Sequence, residues 1–214
     1  SLGMICAEDE IGVGTAHDGI IVLPEDAPVG QPASEYYQLD SDWVIEIDIT
    51  ANRADALSHY GVARDLYAWL VQNGYETSLY RPSCDAFKVD NHDLPIDVTI
   101  ENTDACRRYA CLSMTDCEVK ESPQWLKDKL NIIGLRPINN IVDITNYIMM
   151  AYGQPMHCFD ADMVKGNHII VKDKNEGKKF VTLDGDEHTL GEHDLAICNE
   201  EDPMCIAGVF GGKG

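Results

Sequence analysis

Residues 136–160, RPINNIVDITNYIMMAYGQPMHCFD, constrain this chain more than any other stretch. An Arg-Pro step opens it, an apolar run of helical character follows, and Gly153 closes the run ahead of Gln-Pro-Met-His-Cys-Phe-Asp. Arg136, Asn139, Asn140, Asp143, Thr145, Asn146, Gln154, His157 and Asp160 interrupt this oily surface. Polar groups are costly to bury without partners, so the mixture reads as the rim and floor of a pocket rather than a plain core.

Charge limits what such a pocket can serve. Thirty-seven acidic residues against 16 basic ones give a net charge of −21. A chain this acidic repels a phosphate backbone, which disfavours sequence-independent binding along nucleic acid. If RNA is a partner, only a small part of it is expected to touch this chain. The 214 residues suffice for one large or two small domains. Eight cysteines without a Cys-x-x-Cys pair read as reduced cytosolic thiols, not as a disulfide framework. Neither a signal peptide nor a membrane-spanning run is visible, and the expected location is cytoplasmic. The chain lacks a starting methionine and stops on Gly-Gly-Lys-Gly, so it is expected to be a piece of a longer polypeptide.

Along the chain, turn signals crowd residues 1–30 around a short apolar run, Ile20 to Leu23, which predicts a buried strand. Trp43 to Ile49 alternates, with Ile45, Ile47 and Ile49 on one face, and predicts a half-buried strand. From Thr50 to Asp55 the chain leads into a helix that reaches about Asn73, with Gly74 as its stop. Arg81 to Asn91 reads as a linker. Strands are predicted at Ile96 to Glu101 and Arg108 to Val119. A helix follows with Ser122 as cap, Pro123 in the first turn and Trp125, Leu126, Leu130 and Ile133 as its buried stripe. Beyond Asp160 the pattern predicts a strand at His168 to Lys172, a hairpin around Asp184-Gly185, and buried strands at Leu195 to Cys198 and Met204 to Val209.

The central stretch resembles the editing-domain motif of the bacterial phenylalanyl-tRNA synthetase beta subunit family, R-x-I-x-x-x-V-D-x-T-N-Y followed by G-Q-P-x-H-x-F-D. Arg136, Ile138, Val142, Asp143, Thr145, Asn146, Tyr147, Gly153, Gln154, Pro155, His157, Phe159 and Asp160 match. Asn52, Arg53, Asp55, Ser58, Gly61, Ala63 and Arg64 resemble a second signature, N-R-x-D-x-x-S-x-x-G-x-A-R, for which a cap with a close-packing glycine is the structural reading. Gly3-Met4-Ile5-Cys6 and Asp18-Gly19-Ile20, with Leu23-Pro24, resemble the tail of the family's inserted tRNA-binding-like OB domain. The resemblance implies an α+β fold of twisted, mostly antiparallel sheets with packed helices, preceded by a small OB-barrel remnant. The implied domains are that remnant over 1–39, a strand-helix segment and linker over 40–90, and the N-terminal part of an editing domain over 91–214.

In function, the resemblance implies hydrolysis of the ester joining tyrosine wrongly to the tRNA for phenylalanine. Such a site holds the terminal adenosine, positions a water and stabilises an oxyanion. His157 would act as a neutral imidazole, orienting water or bonding a ribose hydroxyl; a satisfied structural histidine is the alternative. Thr145 and Asn146 match positions that contact the adenosine or aminoacyl group, against simple helix packing. Arg136 would meet the ribose or a terminal phosphate, against an ion pair with Asp143 or Asp160. Pro155, Ala207, Gly208, Gly211 and Gly212 complete the implied substrate-binding set, the glycines permitting close backbone approach. The glutamate that reads the tyrosine hydroxyl lies beyond Gly214 in the family, so this chain is expected to show a cleft but hardly to prefer tyrosine over phenylalanine.

Cys158 adjoins His157, but neighbours on an extended backbone face opposite ways, which argues against a thiol nucleophile. His188 and His193 lack the companions of a metal site, and none is expected. Partners implied for the whole enzyme are its alpha subunit, the 3′ end of the tRNA and the amino acids tyrosine and phenylalanine, with ATP and Mg2+ as its cofactors and no membrane. Two rivals remain: a non-catalytic scaffold of the synthetase, and a freestanding amino-acid-binding module.

Overall fold

The computed structural model describes residues 4–39 and 42–213. Gly3 of the OB-like match and Gly214 lie outside the described residues. The chain divides into two compact units, Ser1–Glu46 and Ile47–Gly214.

The described part of the first unit holds a 3-10 turn at Asp9–Ile11 and a single-turn helix, α1, at Ala33–Tyr36, and no strand. The expected OB-barrel remnant is therefore not formed. Ile20 to Leu23 remains apolar, but among the described residues only one backbone bond crosses from it, Ile21 N–H to the Cys6 carbonyl at 2.9 Å. Without a ladder of neighbouring strands a sheet cannot curl and close, and Val22 is 85% exposed. The alternating run at Trp43 to Ile49 likewise forms no strand, and Trp43 is 92% exposed. Alternation assigns a face to each side chain but supplies no partner. Arg108 to Val119 departs from the strand expectation in the same way; the Ser113 hydroxyl bonds the Leu94 carbonyl at 2.7 Å, outside any strand ladder.

The second unit contains a helical layer and two sheets. Helix α2, His59–Gln72, starts later than the pattern predicts, because a 3-10 turn at Ala54–Ala56 precedes it and Ser58 caps it by accepting from Gly61 N–H. Arg53 grips Asp55 and Asp65, while Arg64 reaches Asp55 from the helix. A Cβ on Gly61 would collide with the Asp55 carbonyl and the Ala56 backbone. The second signature is thus a folded-back helix entry.

Helix α3, Gln124–Ile132, buries Leu126 and Leu130, whereas Trp125 stays 57% exposed. Ser122 is not its cap. The Ser122 hydroxyl turns inward and donates to the Asp143 carboxylate at 2.5 Å. Helix α4, Asn140–Tyr152, begins at Asn139, whose side chain accepts from Ile141 and Val142 N–H, and ends at Gly153 with φ 75°. That left-handed turn is one glycine adopts without strain. Edge-on packing of Trp125 and Tyr147 joins α3 to α4, and Tyr60 with Tyr152 joins α2 to α4.

Among the described residues there are seven strands, the first between α2 and α3 and the others after α4: β1 Asp97–Ile100, β2 His168–Lys172, β3 Lys179–Val181, β4 Glu187–Thr189, β5 Ala196–Cys198, β6 Pro203–Ile206 and β7 Phe210–Gly211. The larger sheet runs β1-β2-β5-β6-β7, parallel only between β1 and β2 and antiparallel elsewhere. β3 and β4 form the hairpin expected around Asp184-Gly185, tied to the larger sheet by a bridge between Thr182 and Gly212. Val164, Ile169, Val171, Ile197, Met204 and Cys205 make one core; Phe180, Leu190, Ala196 and Cys198 make a second. Mostly antiparallel sheets with packed helices are therefore present.

Asp143 is wholly buried, and its other oxygen accepts from Ile138 N–H at 2.8 Å. Asp143→Ala leaves the buried Ser122 hydroxyl and the part-buried Ile138 N–H without their acceptor, and an unpaired buried group costs about 1–3 kcal/mol. Urea unfolding should show a loss of about 2–4 kcal/mol for Asp143→Ala and of about 1–3 kcal/mol for Ser122→Ala, which leaves one buried Asp143 oxygen without its donor.

Candidate functional site

The structure separates the polar residues of the central stretch into two groups. Asn139 is spent on the α4 cap. Asn140 accepts from Lys120 N–H at 3.0 Å and donates to the Glu118 carbonyl at 2.9 Å, pinning the preceding segment to the helix. Asp143 is enclosed as described, and Thr145 donates its hydroxyl to the Val142 carbonyl at 2.7 Å, one turn back. Asp160 caps the 3-10 turn Ala161–Met163 through Asp162 N–H. These groups hold the fold.

Arg136 is exposed and makes no ion pair among the described residues, so neither Asp143 nor Asp160 is its partner. Asn146 is half-buried on α4, and its side chain makes no hydrogen bond among the described residues. Pro155 is exposed in the loop after Gly153. These are the groups of the helical side that retain free binding capacity, together with the acceptor lone pairs of Thr145.

His157 lies elsewhere, against the sheet. Its ring centroid is 4.5 Å from that of Phe159, tilted by 59°. A Cβ built on Gly211 would stand 2.5 Å from His157 Cε1 and 3.3 Å from Nε2. The motif histidine and the Gly-rich end are 54 residues apart in sequence (211 minus 157) and in contact in space. His157 as a whole is exposed, but partial burial of its imidazole holds it below the ordinary histidine value and favours the neutral form.

Each expected glycine has its own place. Gly208 is a turn residue at φ 72° with open space around it. Gly211 faces His157. Gly212 packs where a Cβ would meet the Met204 carbonyl at 2.7 Å and Phe180 Cε2 at 2.8 Å. Ala207 is half-buried, and its N–H donates to the Leu195 carbonyl at 2.9 Å.

Sequence reasoning missed Leu183, whose Cδ1 lies 3.0 Å from the same Gly211 position. The Asp184-Gly185 turn signal located the hairpin, but nothing in it told which strand edge the hairpin would meet. No hydrogen bond or ring contact among the described residues links Arg136, Thr145 or Asn146 to His157.

A cleft of about 430 Å³ is lined by Lys179, Phe180, Val181, Asp202, Pro203, Gly212 and Lys213. Gly212 is the only expected site residue on it. A second cleft, about 370 Å³, lies within the first unit between Ile20 to Pro24 and Tyr36 and Tyr37. Among the described residues no group of three or more His, Cys, Asp or Glu side chains is placed to hold a metal ion, and no helix is long and apolar enough to cross a membrane.

Burial, and next Cys117, push the Cys158 thiol up from its ordinary value. A raised thiol is a poor nucleophile at neutral pH, because the thiolate is the reactive form. Iodoacetamide should alkylate Cys158 more slowly than a free thiol at pH 7 and catch up only in alkali, as read by peptide mass spectrometry. Rapid alkylation at pH 7 would return Cys158 to the list of nucleophiles.

Residues 105–214 match the B3/4 domain family. Across the whole chain, the phenylalanine–tRNA ligase beta subunit of Bacteroides fragilis (strain YCH46) is 68% identical over 212 residues. That of Porphyromonas gingivalis is 55% identical over 213 residues, and that of Geobacter metallireducens 42% over 217. These alignments cover 99% of this chain for the first two and 100% for the third, but 26% of each relative. The chain thus spans about a quarter of the length of these curated relatives.

Proposed function

Since the chain belongs to the B3/4 domain family and to the bacterial phenylalanine–tRNA ligase beta subunits, we propose that it carries most of the site that hydrolyses tyrosine from mischarged phenylalanine tRNA. The whole enzyme would attach phenylalanine to its tRNA in the cytoplasm with ATP and Mg2+, together with an alpha subunit. The synthetic chemistry would lie outside this chain.

One observation carries the hydrolytic reading: the motif histidine meets the Gly-rich end, with no Cβ between them. The absent side chain lets the imidazole pack directly onto the Gly211 backbone, which puts the motif histidine at the Gly-rich end. His157 would orient water or a ribose hydroxyl. Arg136, Thr145, Asn146 and Pro155 would receive the adenosine end, and Ala207, Gly208, Gly211 and Gly212 the amino-acid side chain. No thiol, metal or charged nucleophile is required of the chain, because ester hydrolysis needs positioning and charge stabilisation first.

A second reading, the non-catalytic scaffold, draws support from Asn139, Asn140, Asp143 and Thr145, whose polar groups are engaged inside the chain. Mutation separates the two. In the full-length enzyme His157→Ala should slow hydrolysis of Tyr-tRNA about 10²-fold, with phenylalanine charging nearly unchanged. Wild-type deacylation by that variant would leave the scaffold.

The lowered His157 pKa fixes the sign of the pH dependence. The neutral imidazole is the working form, so the rate should hold as pH falls through the ordinary value of 6.5 and decline only below it. A decline centred above 6.5 would contradict the role. The net charge of −21 predicts in addition that this chain alone binds tRNA only weakly at physiological salt. Submicromolar binding in a filter assay would overturn that expectation.

A further inference from the structure

Resting on that reading of His157, we infer that Phe159, Leu183 and the bare Cα of Gly211 form a clamp that positions its imidazole, which makes the β3–β4 hairpin part of the hydrolytic machinery. An imidazole in a site is commonly oriented by a hydrogen bond from its second nitrogen. His157 is exposed on its outer side and has no hydrogen bond among the described residues, so within the chain it is packing that bears on its ring. Phe159 covers one side at 4.5 Å. His157 Cε1 and Leu183 Cδ1 converge on the one position that a Gly211 side chain would fill, at 2.5 and 3.0 Å.

Leu183 reaches that position through backbone pairing. Its N–H donates to the Gly211 carbonyl at 3.1 Å, and Lys213 N–H donates to the Val181 carbonyl at 2.9 Å on the other side of the Thr182–Gly212 bridge. The turn beyond is closed by Gly185 N–H to the Thr182 carbonyl at 2.8 Å and by Thr182 N–H to the Asp186 carbonyl at 3.0 Å. The Thr182 hydroxyl is held by Asp184 as well. The Leu183 backbone therefore stays beside Gly211 as long as the hairpin remains on β7. The same groups desolvate the ring and favour its neutral form.

Leu183 is 59% exposed, so shortening it leaves both cores intact and makes it the cleaner probe. Two measurements on the full-length enzyme test the clamp. One is deacylation of Tyr-tRNA across pH. The other is the pH profile of His157 carbethoxylation by diethylpyrocarbonate, which attacks the neutral imidazole and is read by mass spectrometry without reference to activity. Leu183→Ala should lower kcat about tenfold while KM stays within about twofold, and should move both midpoints up toward the ordinary histidine value. Leu183→Met should restore them.

An unmoved carbethoxylation midpoint, or a fall in kcat with unmoved midpoints, overturns the clamp, since a merely destabilised protein loses activity without changing the ring's titration. If His157→Ala still deacylates while Leu183→Ala shifts carbethoxylation, the hydrolytic reading alone falls and the clamp on the ring is supported.

Discussion

A buried carboxylate organises the helical layer. Asp143 sits one turn into α4 with no exposure to water, and it survives there because Ser122 and the Ile138 N–H both donate to it. Those donors come from the segment entering α3 and from the turn entering α4. One side chain therefore fixes where both helices start. Charge burial is costly unless fully bonded, so this arrangement tolerates little change. Pro123 and the Asn139 cap then set the first turns, and the Trp125–Tyr147 contact closes the seam.

The sheets meet a different requirement. β5, β6 and β7 bring the Gly-rich end back across the larger sheet, and pairing between residues 181–183 and 211–213 fastens the hairpin to its edge. His157 is reached from the far end of α4, where Gly153 turns the chain out of the helix. The proposed site accordingly draws on a helix exit, a strand edge and a hairpin, while most of the polar residues that mark the motif in sequence secure the fold. The motif is dense because it serves both purposes. The net charge of −21 disfavours a phosphate backbone laid along this chain, which would be repelled.

What the sequence by itself determined is local and periodic. Helical spacing, Gly74 and Gly153 marked the ends of α2 and α4; alternation and flanking turns marked β2 and the β3–β4 hairpin; Asn52 to Arg64 announced a capped entry with a packed glycine. Such features depend on neighbours within a few residues, and the chain carries that information in order. The family resemblance added the expectation that His157 and the glycines belong to one site.

Tertiary structure decided the rest. Trp43 to Ile49 and Arg108 to Val119 have strand-like patterns and no strand, because a strand exists only where another backbone supplies its hydrogen bonds. Ile20 to Leu23 fails to build an OB remnant for the same reason. Ser122 abandoned the expected cap for Asp143, a choice set by a residue 21 positions away. The meeting of His157 and Leu183 with the Gly211 position was equally invisible, since nothing along the chain records which edge a hairpin will meet. Period and turn chemistry are written residue by residue; pairing partners and burial are properties of the folded whole.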